Sequence, residues 1–251
     1  MNQERALKGR RSGGRYSAKR LPESSIVLQG KSGASTIPDA VREMLPGETA
    51  ASWETLAPLL PDSAYLVGGT GLAVHLRHGV SRDLDFFLEQ PEDIDALWRA
   101  FERAGRALAS ERSGDTLNCL FNDTKVQVLE AATQRLISPT TRVAGLRVAS
   151  VEDIMATKIS AILARGALRD YFDLMCIEQQ TELQFEVGIA LAIQKYKPAS
   201  IENFVLSALH SLGGFSDVEP DHTLPVNQEE IETYWLLRQS EVARRIDTFG
   251  G

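Results

Sequence analysis

The stretch Val67-Gly68-Gly69-Thr70, followed after twelve residues by Asp83-Leu84-Asp85, decides how this chain is read. Ahead of it, Ala64–Val67 is a short apolar run that suits a buried strand entering a tight turn at the two glycines. Thr70 to Arg77 then reads as a helix, and Asp83 to Glu89 as a second strand. Residues two apart in a strand point to the same face, about 6–7 Å from each other. Asp83 and Asp85 therefore converge on one side, while Leu84 turns into the core. Like charges side by side are costly unless something compensates. A hard cation does so most simply: Mg2+ accepts one or two carboxylates and completes its shell with nucleotide phosphates, and Mn2+ could take its place. Gly68 and Gly69 let the backbone approach a phosphate with no Cβ in the way. At Thr70 a helix begins, where free N–H groups and the helix dipole favour anions; the Thr70 hydroxyl could add a further donor. A phosphate cradle and a pair of metal carboxylates on adjacent strands are what nucleotidyl transfer requires.

Outward from this motif, Ile37–Leu45 and Ser52–Leu60 read as short helices separated by Pro46-Gly47, and Pro91–Ala107 as a longer one. Residues 107–149 look β-rich. Leu117–Phe121 and Lys125–Glu130 flank a turn at Asn122-Asp123-Thr124, and Arg142–Val148 makes a further strand. From Ser150 the period becomes helical, with Ser150 and Asp153 spaced as a capping box. Helices follow at about 151–164, 167–178, 182–195, 199–211 and 227–246. The expected organisation is a tail over 1–35, a mixed α/β core over 36–150 and a helical subdomain over 151–251.

Composition bounds the function classes. The 251 residues are 43% hydrophobic and 24% charged, enough for a sizeable core and ordinary for a globular chain. No apolar run approaches the roughly 20 residues that cross a bilayer, and the N-terminus shows no secretory apolar region. Cys119 and Cys176 belong to no CxxC or Cys/His cluster, which points to a reducing, cytoplasmic location and away from disulfides or zinc. The net charge of −7 conceals an asymmetry, because residues 1–31 carry eight basic residues against Glu4 and Glu23. Such a segment suits a solvated tail or an arm that samples nucleic-acid phosphates. His75, His78, His210 and His222 lack ligand spacing and read as incidental, although His78 lies between the two halves of the motif. Trp53, Trp98 and Trp235 read as core.

A second constellation lies in the helical half. Ile154, Met155, Ile159, Ile162 and Leu163 form an apolar face, with Lys158 and Arg165 aligned at its edge. After Gly166, Asp170 and Asp173 share the polar side of the next helix. Spacing alone leaves two readings open. Arg169 and Asp173 could be a simple i,i+4 pair with Lys158 reaching solvent, or these residues could face the first motif.

The run Gly68-Gly69-Thr70-Gly71-Leu72, with Arg77, Ser81 and Asp83-Leu84-Asp85-Phe86-Phe87, resembles the first motif of the AbiEii/AbiGii toxin family. Lys158, Arg165 and Arg169-Asp170 through Asp173-Leu174 resemble its second. The resemblance covers about residues 60–180 well. It implies a nucleotidyltransferase fold of the DNA polymerase β type, α/β (α+β) with a mixed sheet and a C-terminal helical subdomain. It also implies a bacterial toxin that transfers a nucleotide from an NTP to an RNA acceptor, tRNA above others, and that has a cognate antitoxin. On that resemblance Lys158 would contact the triphosphate, Asp170 or Asp173 would serve as nucleotide contact or acid/base group, and Arg165 and Arg169 would orient these groups or bind phosphate. A third carboxylate on a neighbouring strand is usual in such domains. Glu130 is the candidate, with Gln127 standing where a strand-centre acid would be expected. Two rivals remain: a phosphotransferase on the same fold, and a module that binds nucleotide or antitoxin without turnover.

Overall fold

A computed structural model of the chain describes residues 36–249, all within one compact unit; the basic segment expected over 1–35 lies outside the described residues. In chain order the elements are α1 (Asp39–Arg42), α2 (Gly47–Leu56), β1 (Ala64–Val67), α3 (Gly68–Leu76), β2 (Leu84–Leu88), α4 (Ile94–Ala104), β3 (Ala107–Arg112), β4 (Thr116–Phe121), β5 (Thr124–Glu130), β6 (Thr141–Val143), β7 (Leu146–Val148), α5 (Val151–Ala164), α6 (Leu168–Gln180), α7 (Phe185–Tyr196), α8 (Ile201–Ser211) and α9 (Gln228–Phe249). The strands form one mixed sheet in the order β3-β4-β5-β2-β1-β7-β6. β1 runs antiparallel to β2 and parallel to β7, and β2 runs parallel to β5.

Alternation along the strands divides the core in two. Leu66, Leu84, Phe86, Leu88, Val126 and Val128 point to one face and pack with Trp53, Leu56, Trp98 and Phe101 from α2 and α4. Tyr65, Val67 and Phe87 point to the other, where they join Leu72 and the apolar sides of α5 to α9, including Trp235. Burial of these large side chains is the main stabilising term, at roughly 1.5–3 kcal/mol each. The central strands are buried on both faces where helices cover them, and β3, at the sheet edge, is mostly exposed.

Local departures from the sequence reading have physical causes. Arg142–Val148 is not one strand but the hairpin β6–β7, reversed at Ala144-Gly145, where both φ angles are positive. The turn between β4 and β5 sits at Asn122-Asp123, also both at positive φ, which tightens that hairpin. α2 starts at Gly47 rather than Ser52, because Pro46 ends the preceding turn and pre-sets the entry.

Ser150 caps α5, its Oγ accepting from the Asp153 N–H at 3.1 Å, but the reciprocal half of the capping box is missing. The Asp153 carboxylate instead meets Lys195 Nζ at 2.9 Å and accepts from the Ile137 and Ser138 N–H groups and the Ser150 hydroxyl. Both charges are about 1% exposed, so this pair clamps the loop after β5 to α5 and α7 across a distance of 42 positions. Asp153→Ala leaves Lys195 buried without a counter-charge and is expected to destabilise the protein by about 3–5 kcal/mol in urea unfolding. Lys195→Met in the same background is expected to add far less than it does alone.

Candidate active site

β1 and β2 are adjacent and antiparallel, with Val67 opposite Asp85, so the turn leaving β1 meets the carboxylate carried by β2. Gly68 sits there at φ +66°, in the left-handed region. A Cβ at this position would lie 2.2 Å from Asp85 Oδ2, so backbone conformation and close approach both demand glycine. At Gly69 a Cβ would come within 3.1 Å of Ser81 Oγ, again tight. Thr70 departs from its expected use. It is buried, and its hydroxyl hydrogen-bonds with the Asp83 carbonyl and with Ser81 Oγ. It ties the start of α3 to the strand carrying the aspartates, and its single proton is spent there rather than on a phosphate.

Asp83 is exposed just before β2, and Asp85 is half-buried within it. Burial pushes the Asp85 carboxyl up to about 6; Lys158 opposes the shift, the adjacent Asp83 reinforces it, Arg165 opposes it and Asp170 adds to it. The donor set is two hard oxygen ligands, one of them held in electrostatic debt by the other, against a glycine turn with no side chain. That fits a magnesium-class cation sharing its shell with phosphate oxygens. Among the described residues no group of three or more His, Cys, Asp or Glu is placed to hold a metal by itself. Glu130 does not supply the third acid. In the register of β2 with β5 it pairs with core-facing Leu88, three positions beyond the Asp85–Gln127 pair and on the opposite face of the sheet. Gln127 is the side chain beside Asp85.

The second constellation closes onto the first. Lys158 of α5 is buried, with Nζ 2.8 Å from Asp170 Oδ1 and 2.5 Å from Asp173 Oδ2 on α6. Burial disfavours its ammonium, but Asp173 and Asp170 outweigh that and hold its pKa above the ordinary lysine value. For Asp173, burial alone would raise the carboxyl; Lys158 and His78 overcome it and the pKa falls. Arg165 grips Asp170 through Nε at 2.9 Å and Nη2 at 3.1 Å. Arg169 does not pair with Asp173. It reaches Asp221 at 3.1 Å and Thr223 at 2.6 Å, fastening the segment before α9. His78, read as incidental, meets Asp173 Oδ1 at 2.9 Å and packs on Phe172; its 95-residue separation from Asp173 left no signal in the sequence.

Gly69, Asp83, Asp85, Lys158, Arg165 and Arg169 line one cleft of about 380 Å3 together with Ser81, Arg82, Lys125 and Glu48; Asp170 and Asp173 are joined to it through Lys158 and Arg165 rather than lining it. Lys125 and Arg82 were not singled out by motif. Strand alternation could have found Lys125, which precedes Gln127 by two and shares its face. Among the described residues neither has an ion-pair partner, so their charge is available to a ligand.

A turn of bare backbone against paired carboxylates, with unspent cations across the cleft, suits a polyphosphate and its metal, and fold and cleft together define a nucleotidyltransferase. More particularly, the chain belongs to the family described as nucleotidyl transferase AbiEii toxin of type IV toxin–antitoxin systems, whose pattern matches residues 54–241. An uncharacterized protein of Aquifex aeolicus strain VF5 is 29% identical over 188 residues, covering 74% of this chain and 87% of that one. The chain is similar in fold to MenT4, a nucleotidyltransferase toxin of Mycobacterium tuberculosis H37Rv, at a TM-score of 0.53 and 17% identity, covering 82% and 87% of the two chains. A candidate nucleotidyltransferase from H. pylori matches over 78% of this chain and 91% of its own, at a TM-score of 0.46 and 18% identity.

The raised Asp85 pKa yields a stability prediction. Because the folded value of about 6 exceeds the ordinary 3.8, the ionised carboxylate costs stability, fully so above pH 6 and not at all below about 3.8. Asp85→Asn should therefore stabilise the metal-free protein by up to about 3 kcal/mol at pH 8, and the gain should fade as pH drops toward 4 in chemical unfolding.

Proposed function

We propose that the protein transfers a nucleotide from an NTP to a hydroxyl of an RNA acceptor, with tRNA the first acceptor to test, using Mg2+ (or Mn2+) held by Asp83 and Asp85. The observation that carries this reading is the cleft that Asp83 and Asp85 share with Gly69 at the start of α3 and with the cations Lys125, Arg82 and Arg165, its carboxylate Asp85 packed against a turn that carries no side chain. When bound, the metal would supply charge to the phosphate and to the attacking oxygen. The chain's own groups do the rest. The turn and the start of α3 offer backbone N–H groups to the triphosphate. Lys125 and Arg82 neutralise charge at the mouth of the cleft. Arg165, locked on Asp170 through two of its nitrogens, presents the remainder of its guanidinium to the cleft. Lys158 engages two carboxylates, so its main part is to hold Asp170 and Asp173 in place, with one ammonium donor left over at the cleft. The acceptor hydroxyl gives its proton to a cleft carboxylate or to water as its oxygen bonds to the α-phosphorus and the bond to the bridging oxygen breaks, and pyrophosphate leaves.

Membership in a type IV toxin–antitoxin family supports a cognate antitoxin as partner. No described helix is long and apolar enough to cross a membrane. A binding module without turnover has one observation in its favour, Gln127 in place of a strand-centre acid.

Parallel incubations with each NTP labelled with 32P at the α- or at the γ-phosphate, Mg2+ and total bacterial RNA and protein separate the readings. Label should enter RNA with the wild type and fall by about 100-fold or more in Asp83→Asn and Asp85→Asn, both chosen because they leave the buried Lys158 cluster intact. Transfer of γ-label instead would mean a phosphotransferase, and no transfer of either label would leave a binding module.

A further inference from the structure

Beside the catalytic carboxylates the sheet carries an ordered row of polar side chains whose direction is set from one end. The strand registers align Asp85 with Gln127, Gln127 with Asn118, and Asn118 with Glu111, across β2, β5, β4 and β3. Hydrogen bonds link the last three: Gln127 Nε2 donates to Asn118 Oδ1 at 2.8 Å, and Asn118 Nδ2 donates to Glu111 Oε2 at 2.6 Å. A carboxylate only accepts, so Glu111 forces Asn118 to present its NH2 group, and Asn118 must then offer its carbonyl to the Gln127 NH2. The remaining polar atom, Gln127 Oε1, is left as an acceptor at the Asp85 end. The row exists because of a register shift between Ala109 and Glu111. Without it Ser110 would stand opposite Asn118, and Glu111 would turn to the other face. Gln127 and Asn118 line a second cavity, of about 610 Å3, which shares Asp83, Asp85, Lys125 and Arg165 with the first.

We propose that Gln127 Oε1 is the third oxygen ligand of this site, a neutral substitute for the missing acid, and that Glu111 and Asn118 are positioning residues that keep that oxygen, rather than the NH2, turned toward Asp85. The inference rests on the reading of Asp83 and Asp85 as metal ligands. A neutral third ligand leaves the metal with more positive charge than three carboxylates would, so it binds more weakly without nucleotide and depends more on the phosphates. Were Asn118 free to flip, Gln127 could follow and set two N–H donors against the cation.

Binding of Mn2+ alone, followed by the loss of its free-ion EPR signal, tests this in the full-length protein. Gln127→Leu should weaken Mn2+ by about tenfold and Glu111→Gln by several-fold, in the range found for residues that orient metal ligands. Gln127→Glu should bind more tightly than wild type. Combining Glu111→Gln with Asn118→Asp reverses which side chain carries the charge while still forcing the Gln127 NH2 toward residue 118, so it should restore most of the affinity lost in Glu111→Gln. If Asp83→Asn and Asp85→Asn abolish binding while Gln127→Leu binds as wild type does, the inference fails and the metal site stands. If wild type itself binds no Mn2+, both fall.

Discussion

The structure turns on the contact between a backbone and a carboxylate. Gly68 leaves β1 in the left-handed region and brings its Cα so close to Asp85 that any side chain would collide with the carboxylate oxygen. Several other features follow from that contact. β1 and β2 must be neighbours, so that the turn and the aspartate meet. Thr70 must be tied to the Asp83 carbonyl, so that the helix start and the strand end keep their spacing. The sheet must be covered on its far face, because Leu84 and Phe86 point there while Asp85 points to the cleft.

Charge organises the other wall. Asp170 and Asp173 are buried acids that would be untenable alone; Lys158 meets both, Arg165 meets Asp170 and His78 meets Asp173. Lys158 and Arg165 balance Asp170 and Asp173, so the cleft's unbalanced negative charge comes from Asp83 and Asp85, with Glu48 also in its lining. A buried lysine with two counter-ions is a poor carrier of a third anion, and the exposed Lys125 and Arg82 suit that task better.

Much of this was legible in the sequence, and the reasons differ by element. Ala64–Val67 and residues 151–164 matched their strand and helix to the residue, because apolar runs bounded by glycine or a cap are local signals. Gly69, Asp83, Asp85, Lys158 and Arg165, named from two motifs read with a family resemblance, line one cleft, and Asp170 is tied to Lys158 and Arg165 behind it. What escaped depends on register and long-range pairing. Glu130 and Gln127 differ by three positions in one strand, and only the pairing of β2 with β5 decides which stands beside Asp85. Asp153 looked like a local cap because its partner Lys195 is far away in the chain. The Asn118–Glu111 bond needs a shift in strand pairing that composition does not announce.

The most direct test of the account is thermal unfolding of Gly68→Ala with and without Mg2+ and NTP, beside Gly47→Ala, where an added Cβ meets nothing within 4 Å. Wild type and Gly47→Ala should be stabilised by metal and nucleotide together, by about 2.7 kcal/mol at a hundredfold excess over Kd. Gly68→Ala should be less stable than wild type but keep its helical signal by circular dichroism, and it should gain nothing, because a Cβ 2.2 Å from Asp85 Oδ2 would push aside the carboxylate proposed to hold the metal. Equal stabilisation of Gly68→Ala would contradict the claim that nucleotide and metal meet at this contact.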